Sequence, residues 1–341
     1  MLTKKDFLKK HLTTIEVKKR SISGLLSAMG ETGFQGKQLA LAIDTWEAMI
    51  NDPDVTIFMG YAGSMSTTGQ WKIIRWLIEM GYIDCLVSTG ANVTEDVVEA
   101  MGYPYYKGHH VVDDFELSKH KINRYYDVFG YDYDYMEMEY LLIEFMKSLP
   151  ATKNYSSAEY LYLFGKFQAA KKIKSITEAA YQHKVPVFSP ALADCEFGVA
   201  AYILKKETGH HNIIDQMKDF EQLGEIGERC KKTSVVYIGG GVPKDTIQLV
   251  TIMLELIRGY DKRFPHSYAI QITADSPQWG GLSGCTFEEA VSWGKIDAKA
   301  TKAVCYDDAT IALPIISHAL LERLGGKKRK RKDFGFLFKG L

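Results

Sequence analysis

Short apolar, β-branched runs alternate with longer amphipathic ones along most of this chain, and that alternation restricts the fold more than any other feature. Val55–Met59 reads as a strand, Trp71–Met80 as a helix, Ile83–Ser88 as the next strand, and Glu95–Met101 as the start of another helix. Further strands are expected at Val185–Ser189, Ser234–Ile238, Tyr268–Thr273 and Ala303–Tyr306, with helices over Thr246–Arg258 and Ile311–Leu324. Strand, helix, strand in this order predicts βαβ units, and so an α/β fold with a mainly parallel sheet flanked by helices. Glycine, proline or aspartate punctuates most strand ends. Ligands of such sheets lie beyond the carboxyl ends of the strands, so the residues just after these runs matter most.

The charge balance narrows the function. Forty-two basic and 42 acidic residues cancel, which argues against nucleic acid as a partner. No apolar run approaches the length of a membrane span, and Met1 to Arg20 lacks the apolar stretch of a signal peptide. The five cysteines are scattered without a CxxC pair, the pattern of reduced thiols in a cytoplasmic protein. The pairs His109–His110 and His210–His211 suggest a metal at first sight, but adjacent histidines diverge, so no metal site is expected. Tyr125 to Tyr140, rich in Tyr, Asp and Glu, reads as a solvated or subunit-facing insertion. The six basic residues Lys327–Lys332 read as a frayed, solvated terminus.

One segment carries candidate chemistry. In Glu289-Ala290-Val291-Ser292-Trp293-Gly294-Lys295, a helical start places Glu289 and Trp293 on one face. A carboxylate beside an indole cradles an alkylammonium ion, and Gly294 lets the chain turn so that Lys295 is presented from another direction. A lysine in such a pocket, deprotonated by burial and nearby cations, suits imine chemistry. Taken alone, a lysine after a helix is ordinarily a surface residue.

Glu289–Ile296 (EAVSWGKI) resembles the active-site segment of the deoxyhypusine synthase family, in which this lysine carries a covalent imine. Phe188–Asp194 (FSPALAD), Ile238–Lys244 (IGGGVPK), Val87–Asp96 (VSTGANVTED) and Val304–Ala309 (VCYDDA) follow the family's order, so the likeness runs from about residue 30 to about residue 325. The resemblance implies a Rossmann-like domain that binds NAD, although neither Gly239-Gly240-Gly241 nor the glycines from Gly60 to Gly69 spell GxGxxG. It divides the chain into an N-terminal helical extension (1–28), one NAD-binding catalytic domain (29–325) and a basic tail (326–341). Carried over by position, Ser64, Thr89, Gly90, Glu95, Asp194, Gly240, Thr273, Ala274, Ser283 and Asp308 would line the cofactor. Small residues after strands admit a pyrophosphate to backbone amides, and the acids would accept ribose hydroxyls. Any of these acids equally suits a helix cap.

The chain also departs from the family. Where characterised members have a histidine after the lysine of the glycine-rich turn, Asp245 follows Lys244, and Val199 stands where protein-modifying members present a substrate-binding carboxylate. Asp275–Gly284 replaces a more acidic stretch, and Trp279 is a candidate second aromatic wall. This pattern resembles the bacterial deoxyhypusine-synthase-like branch, some of whose members make homospermidine. The resemblance implies transfer of an aminobutyl group from spermidine through an imine on Lys295, with Glu289, Asp245 and Trp293 holding the amine. The acceptor would be putrescine or a protein lysine, and the assembly a homotetramer with active sites between subunits. A retained fold that only binds NAD or polyamine is the alternative from another class.

Overall fold

The computed structural model describes residues 3–259 and 262–341. Its centre is a six-stranded sheet of β1 (Val55–Tyr61), β2 (Cys85–Ser88), β3 (Val187–Phe188), β4 (Lys232–Ile238), β5 (His266–Ile272) and β6 (Ile296–Cys305). The order is β6-β5-β4-β1-β2-β3, and every neighbouring pair is parallel. The α/β expectation therefore holds, with helices on both faces of the sheet. After β1 the chain builds outward through β2 to β3, then returns to the other side of β1 with β4. The order reverses between β1 and β4, and sheets of this kind take their ligands at the carboxyl edge of such a switch point.

Local sequence explains the elements. All seven residues of β1 are buried, as expected for a strand covered on both faces. Trp71–Met80 buries Trp71, Ile74, Leu77 and Ile78 along one stripe and ends at Gly81, whose φ of 74° supplies the left-handed cap.

Two expectations are corrected and one is made more specific. The last strand begins at Ile296, not near Ala303. Its first half, Asp297 to Lys302, is polar and largely solvated because β6 is an edge strand, where charges blunt unwanted pairing. The Tyr125–Tyr140 stretch is exposed or half-buried over most of its length, as a solvated or subunit-facing insertion would be, but it is regular. It forms part of a hairpin, Ile122–Tyr125 with Val128–Tyr131, and then the first half of the helix Asp132–Ser148, which buries Tyr135, Met138 and Leu142.

The basic run is not frayed either. The Arg329 guanidinium donates to both carboxylate oxygens of the fully buried Asp84 at 2.9 Å, and Asp84 also accepts from the backbone amides of Ile57 and Lys332. Arg331 donates to the carbonyls of Ile78, Glu79 and His183, at the ends of two helices. Phe334, Leu337 and Phe338 then join the core, with Phe338 stacked 3.9 Å from Tyr162. The cations thus satisfy helix C-termini and a buried acid at the amino edge of the sheet.

Candidate active site

Lys295 stands between the helix Phe287–Ser292 and β6. The Thr286 hydroxyl caps that helix by accepting from the Glu289 amide at 3.1 Å. Two residues past its end, Gly294 takes a φ of 71°, a conformation that costs glycine little. The chain then enters β6, where the Lys295 carbonyl accepts from the His266 amide. This break lifts Lys295 off the helix axis, and its Nζ lies 5.4 Å from the centre of the Trp293 ring. Lys295, Glu289 and Asp245 meet, with Lys244, Gln248 and Cys285, around a cavity of about 210 Å³. Trp293 is 60% exposed and Trp279 74% exposed, so neither indole is core; Trp293 borders the site through Lys295, whereas Trp279 is not among the residues that line the cavity.

Lys244 is the residue that sequence reasoning left out. It is 2% exposed, and its ammonium donates to Gln271 Oε1 at 2.9 Å and to the carbonyls of Ser283 and Cys285 at 3.1 and 2.5 Å. It thereby ties the loop before the Lys295 helix to β5. Burial pushes its pKa down to about 8, and Lys295 adds to that against the pull of Cys285 and Glu289. The available signal was its place in the first turn of a helix after a triple glycine.

Eight of the ten residues expected around a cofactor follow strand ends on the carboxyl edge: Ser64 after β1, Thr89 and Gly90 after β2, Asp194 after β3, Gly240 after β4, Thr273 and Ala274 after β5, and Asp308 after β6. Glu95 opens the helix Glu95–Ala100 behind Thr89. Gly240 and Ser283 touch, since a Cβ on Gly240 would lie 2.5 Å from the Ser283 Cα. Thr273 is buried, Ser283 half-buried, and Ser64, Ala274 and Asp194 are exposed. Asp308 caps the helix Ala309–Leu324, accepting from the Thr310 amide at 2.7 Å, so the cap reading of that acid holds.

NAD fits this edge on two observations. Gly239–Gly241 lies beside Ala62 at the β1–β4 reversal, and no side chain caps the first turn of the helix Gly241–Arg258 that follows. Its amides are therefore available to a pyrophosphate. Glu95 is 5% exposed and its Oε2 has no hydrogen-bond partner, as expected of a group that waits for a ligand.

Burial, with Glu196 and Asp96 adding, raises the Glu95 carboxyl to about 8. An acid whose folded pKa lies above its unfolded value stabilises the fold while protonated. That contribution is lost as pH rises from about 4.5 to about 8. The melting temperature of the ligand-free protein should therefore fall between about pH 6 and pH 8, corresponding to about 2 kcal/mol. Glu95→Gln should flatten the slope and melt higher than the parent at pH 8 in scanning calorimetry. An unchanged slope would remove Glu95 as its source.

The deoxyhypusine synthase family model matches residues 24–320. The chain belongs to the deoxyhypusine synthase family. A protein named "Probable deoxyhypusine synthase 2" from Methanosarcina mazei is 44% identical over 324 residues, covering 94% of this chain and 93% of that one. Its namesake from Archaeoglobus fulgidus is 47% identical over 293 residues, covering 86% and 96%. A deoxyhypusine synthase-like protein from Chlorobaculum tepidum is 33% identical over 337 residues, covering 98% and 95%. Archaeal and bacterial members are thus both close, the archaeal pair more so than this bacterial one. Among solved structures, one assigned to deoxyhypusine synthase from Entamoeba histolytica superposes with a TM-score of 0.62 at 16% identity, covering 92% of this chain and 96% of that one. At that identity the likeness speaks for the fold.

Proposed function

We propose that this protein transfers an aminobutyl group from spermidine to an acceptor amine, with NAD as a retained cofactor and an imine on Lys295 as the intermediate. The observation that carries the reading is the cavity in which Lys295 meets two carboxylates, Glu289 and Asp245, beside Trp293. Nucleophile, ammonium anchors and aromatic wall are there together. NAD, when bound along the carboxyl edge, supplies reversible hydride chemistry and leaves the net reaction redox-neutral.

The chain's own groups do the rest. Glu289 and Asp245 pair with the ammonium groups of the substrate, and Lys295 adds its amine to the imine carbon formed next to the secondary nitrogen. The C–N bond to 1,3-diaminopropane breaks as the bond to Lys295 forms. The acceptor amine then displaces Lys295, and reduction of the new imine completes the product. Asp245 stands where a histidine serves other members, and pairing an ammonium suits an aspartate better than accepting a proton near neutral pH.

Our preferred acceptor is putrescine, giving homospermidine, because the positions departing from the protein-modifying pattern are those that hold an amine. The names of the archaeal relatives favour a second reading, in which the acceptor is a lysine of a translation factor. Product analysis with NAD and spermidine, with and without putrescine, tests both. Diaminopropane together with homospermidine, formed only with putrescine, is the expected result. Diaminopropane without homospermidine would move the acceptor to a protein, and no product under any condition would overturn the transferase reading. A homotetramer is proposed on family grounds, with light scattering as its check.

A further inference from the structure

A second cavity, of about 570 Å³, opens at the amino edge of the sheet and shares no residue with the one around Lys295. Its volume lies within the usual span of small-molecule pockets, roughly 300–1,000 Å³. All six cations of Lys327–Lys332 line it, together with Ile50, Asn51, Pro53 and Leu324, and no acid does. Ile50 and Asn51 end the helix Phe34–Asn51, and Leu324 ends the helix Ala309–Leu324. Three of the cations are engaged in holding the run in place. Arg329 donates to Asp84, Arg331 to helix-end carbonyls, and Lys332 Nζ to the Pro53 carbonyl at 2.6 Å. The backbone is fixed as well: the Tyr82 hydroxyl donates to the Lys327 carbonyl at 2.8 Å, and the Arg329 amide to the Met80 carbonyl at 2.9 Å. Lys327, Lys328 and Lys330 are left exposed, and among the described residues their ammonium groups have no hydrogen-bond or ion-pair partner.

Three ammonium groups on one short, anchored segment repel one another, and a cavity walled by one sign of charge gathers ions of the other. The positive field reaches its neighbours: burial keeps His183 below its ordinary range, and Arg331 and Lys328 lower it further. The field is also local. Asp52 and Asp54, on either side of Pro53, are paired with Lys232 and Lys231 at 3.2 and 3.0 Å. Such surroundings suit a compact anion of high charge, whereas a nucleic-acid strand needs a basic track that continues past the cavity. Lysine ammonium groups, compact point charges with rotatable donors, bind phosphate.

We propose that this cavity binds a compact polyphosphate, either the di- or triphosphate of a nucleotide or a short inorganic chain, through Lys327, Lys328 and Lys330. The same run carries Phe334, Leu337 and Phe338 into the core, so the bound anion also stabilises the fold. The inference goes beyond aminobutyl transfer and does not depend on it.

The test titrates the full-length protein with tripolyphosphate by calorimetry at fixed ionic strength, without polyamine. NAD is present throughout, so that the carboxyl edge is not the site being measured. The comparison is a variant carrying Lys327→Ala, Lys328→Ala and Lys330→Ala. All three side chains are exposed, so without the anion this variant should melt within about 2 °C of the parent. The parent should bind, and should melt about 3 °C higher at a hundredfold excess over Kd. The triple variant should bind at least about tenfold more weakly. Lys330→Ala alone should already weaken binding about threefold, which keeps the test open if the triple variant folds poorly. Adenosine triphosphate binding more tightly than tripolyphosphate would identify a nucleotide as the ligand, and equal affinity the phosphate chain alone; both uphold the site. No binding by the parent, or binding by the variants equal to the parent's, would overturn it. So would single-stranded RNA whose affinity keeps rising with length and exceeds that of the triphosphates, since the run would then belong to a longer nucleic-acid track.

Discussion

Lys295→Ala is expected to abolish aminobutyl transfer, by at least about 10³-fold, while leaving spermidine binding within a few-fold of the parent. The two effects separate because the groups are distinct. Glu289, Asp245 and Trp293, the proposed ammonium holders, are untouched by the substitution, whereas Lys295 supplies the only proposed covalent bond. Lys295 is half-buried and takes part in no ion pair among the described residues, so its loss leaves little unsatisfied and the melting temperature should barely move. Diaminopropane release and borohydride trapping read the outcome. The parent incubated with spermidine and NAD should gain a stable aminobutyl adduct on the peptide carrying Lys295, and the variant none. Normal transfer by the variant would sink the imine assignment. A variant that no longer binds spermidine would instead place Lys295 among the anchoring groups.

What the sequence made legible follows from where the physics is local. Trp71–Met80 was readable to the residue because its buried stripe, its length and Gly81 all point the same way. The carboxyl-edge placement of Thr89, Gly240 and Thr273 was readable because strand ends are punctuated by small residues. The rest depends on distant partners. Asp297 to Lys302 looks like a loop until β5 pairs with it. Tyr135 looks solvated until Tyr105 and Tyr125 satisfy its hydroxyl. Lys244 reads as an ordinary helix cation until Gln271, Ser283 and Cys285 surround it.

The basic run is the clearest case of a distant partner, and it carries the second large effect. Arg329→Ala should cost about 3–5 kcal/mol, the usual loss when one member of a buried ion pair is removed. Asp84 has no exposure at all, so without the guanidinium its charge would keep only the amides of Ile57 and Lys332. Arg329 also donates to the carbonyls of Gly81 and Val55, and those acceptors would be stranded with it. The backbone follows closely: a Cβ on Gly81 would lie 2.5 Å from the Arg329 carbonyl oxygen. Urea unfolding of Arg329→Ala beside Lys330→Ala, whose side chain is exposed, separates the buried pair from general loss of charge. Lys330→Ala should fall within about 0.5 kcal/mol of the parent. Asp84→Asn with Arg329→Met should recover part of the loss, because replacing both charges removes the unpaired one. Equal stability of the two alanine variants would mean that the run is held by Phe334, Leu337 and Phe338 alone.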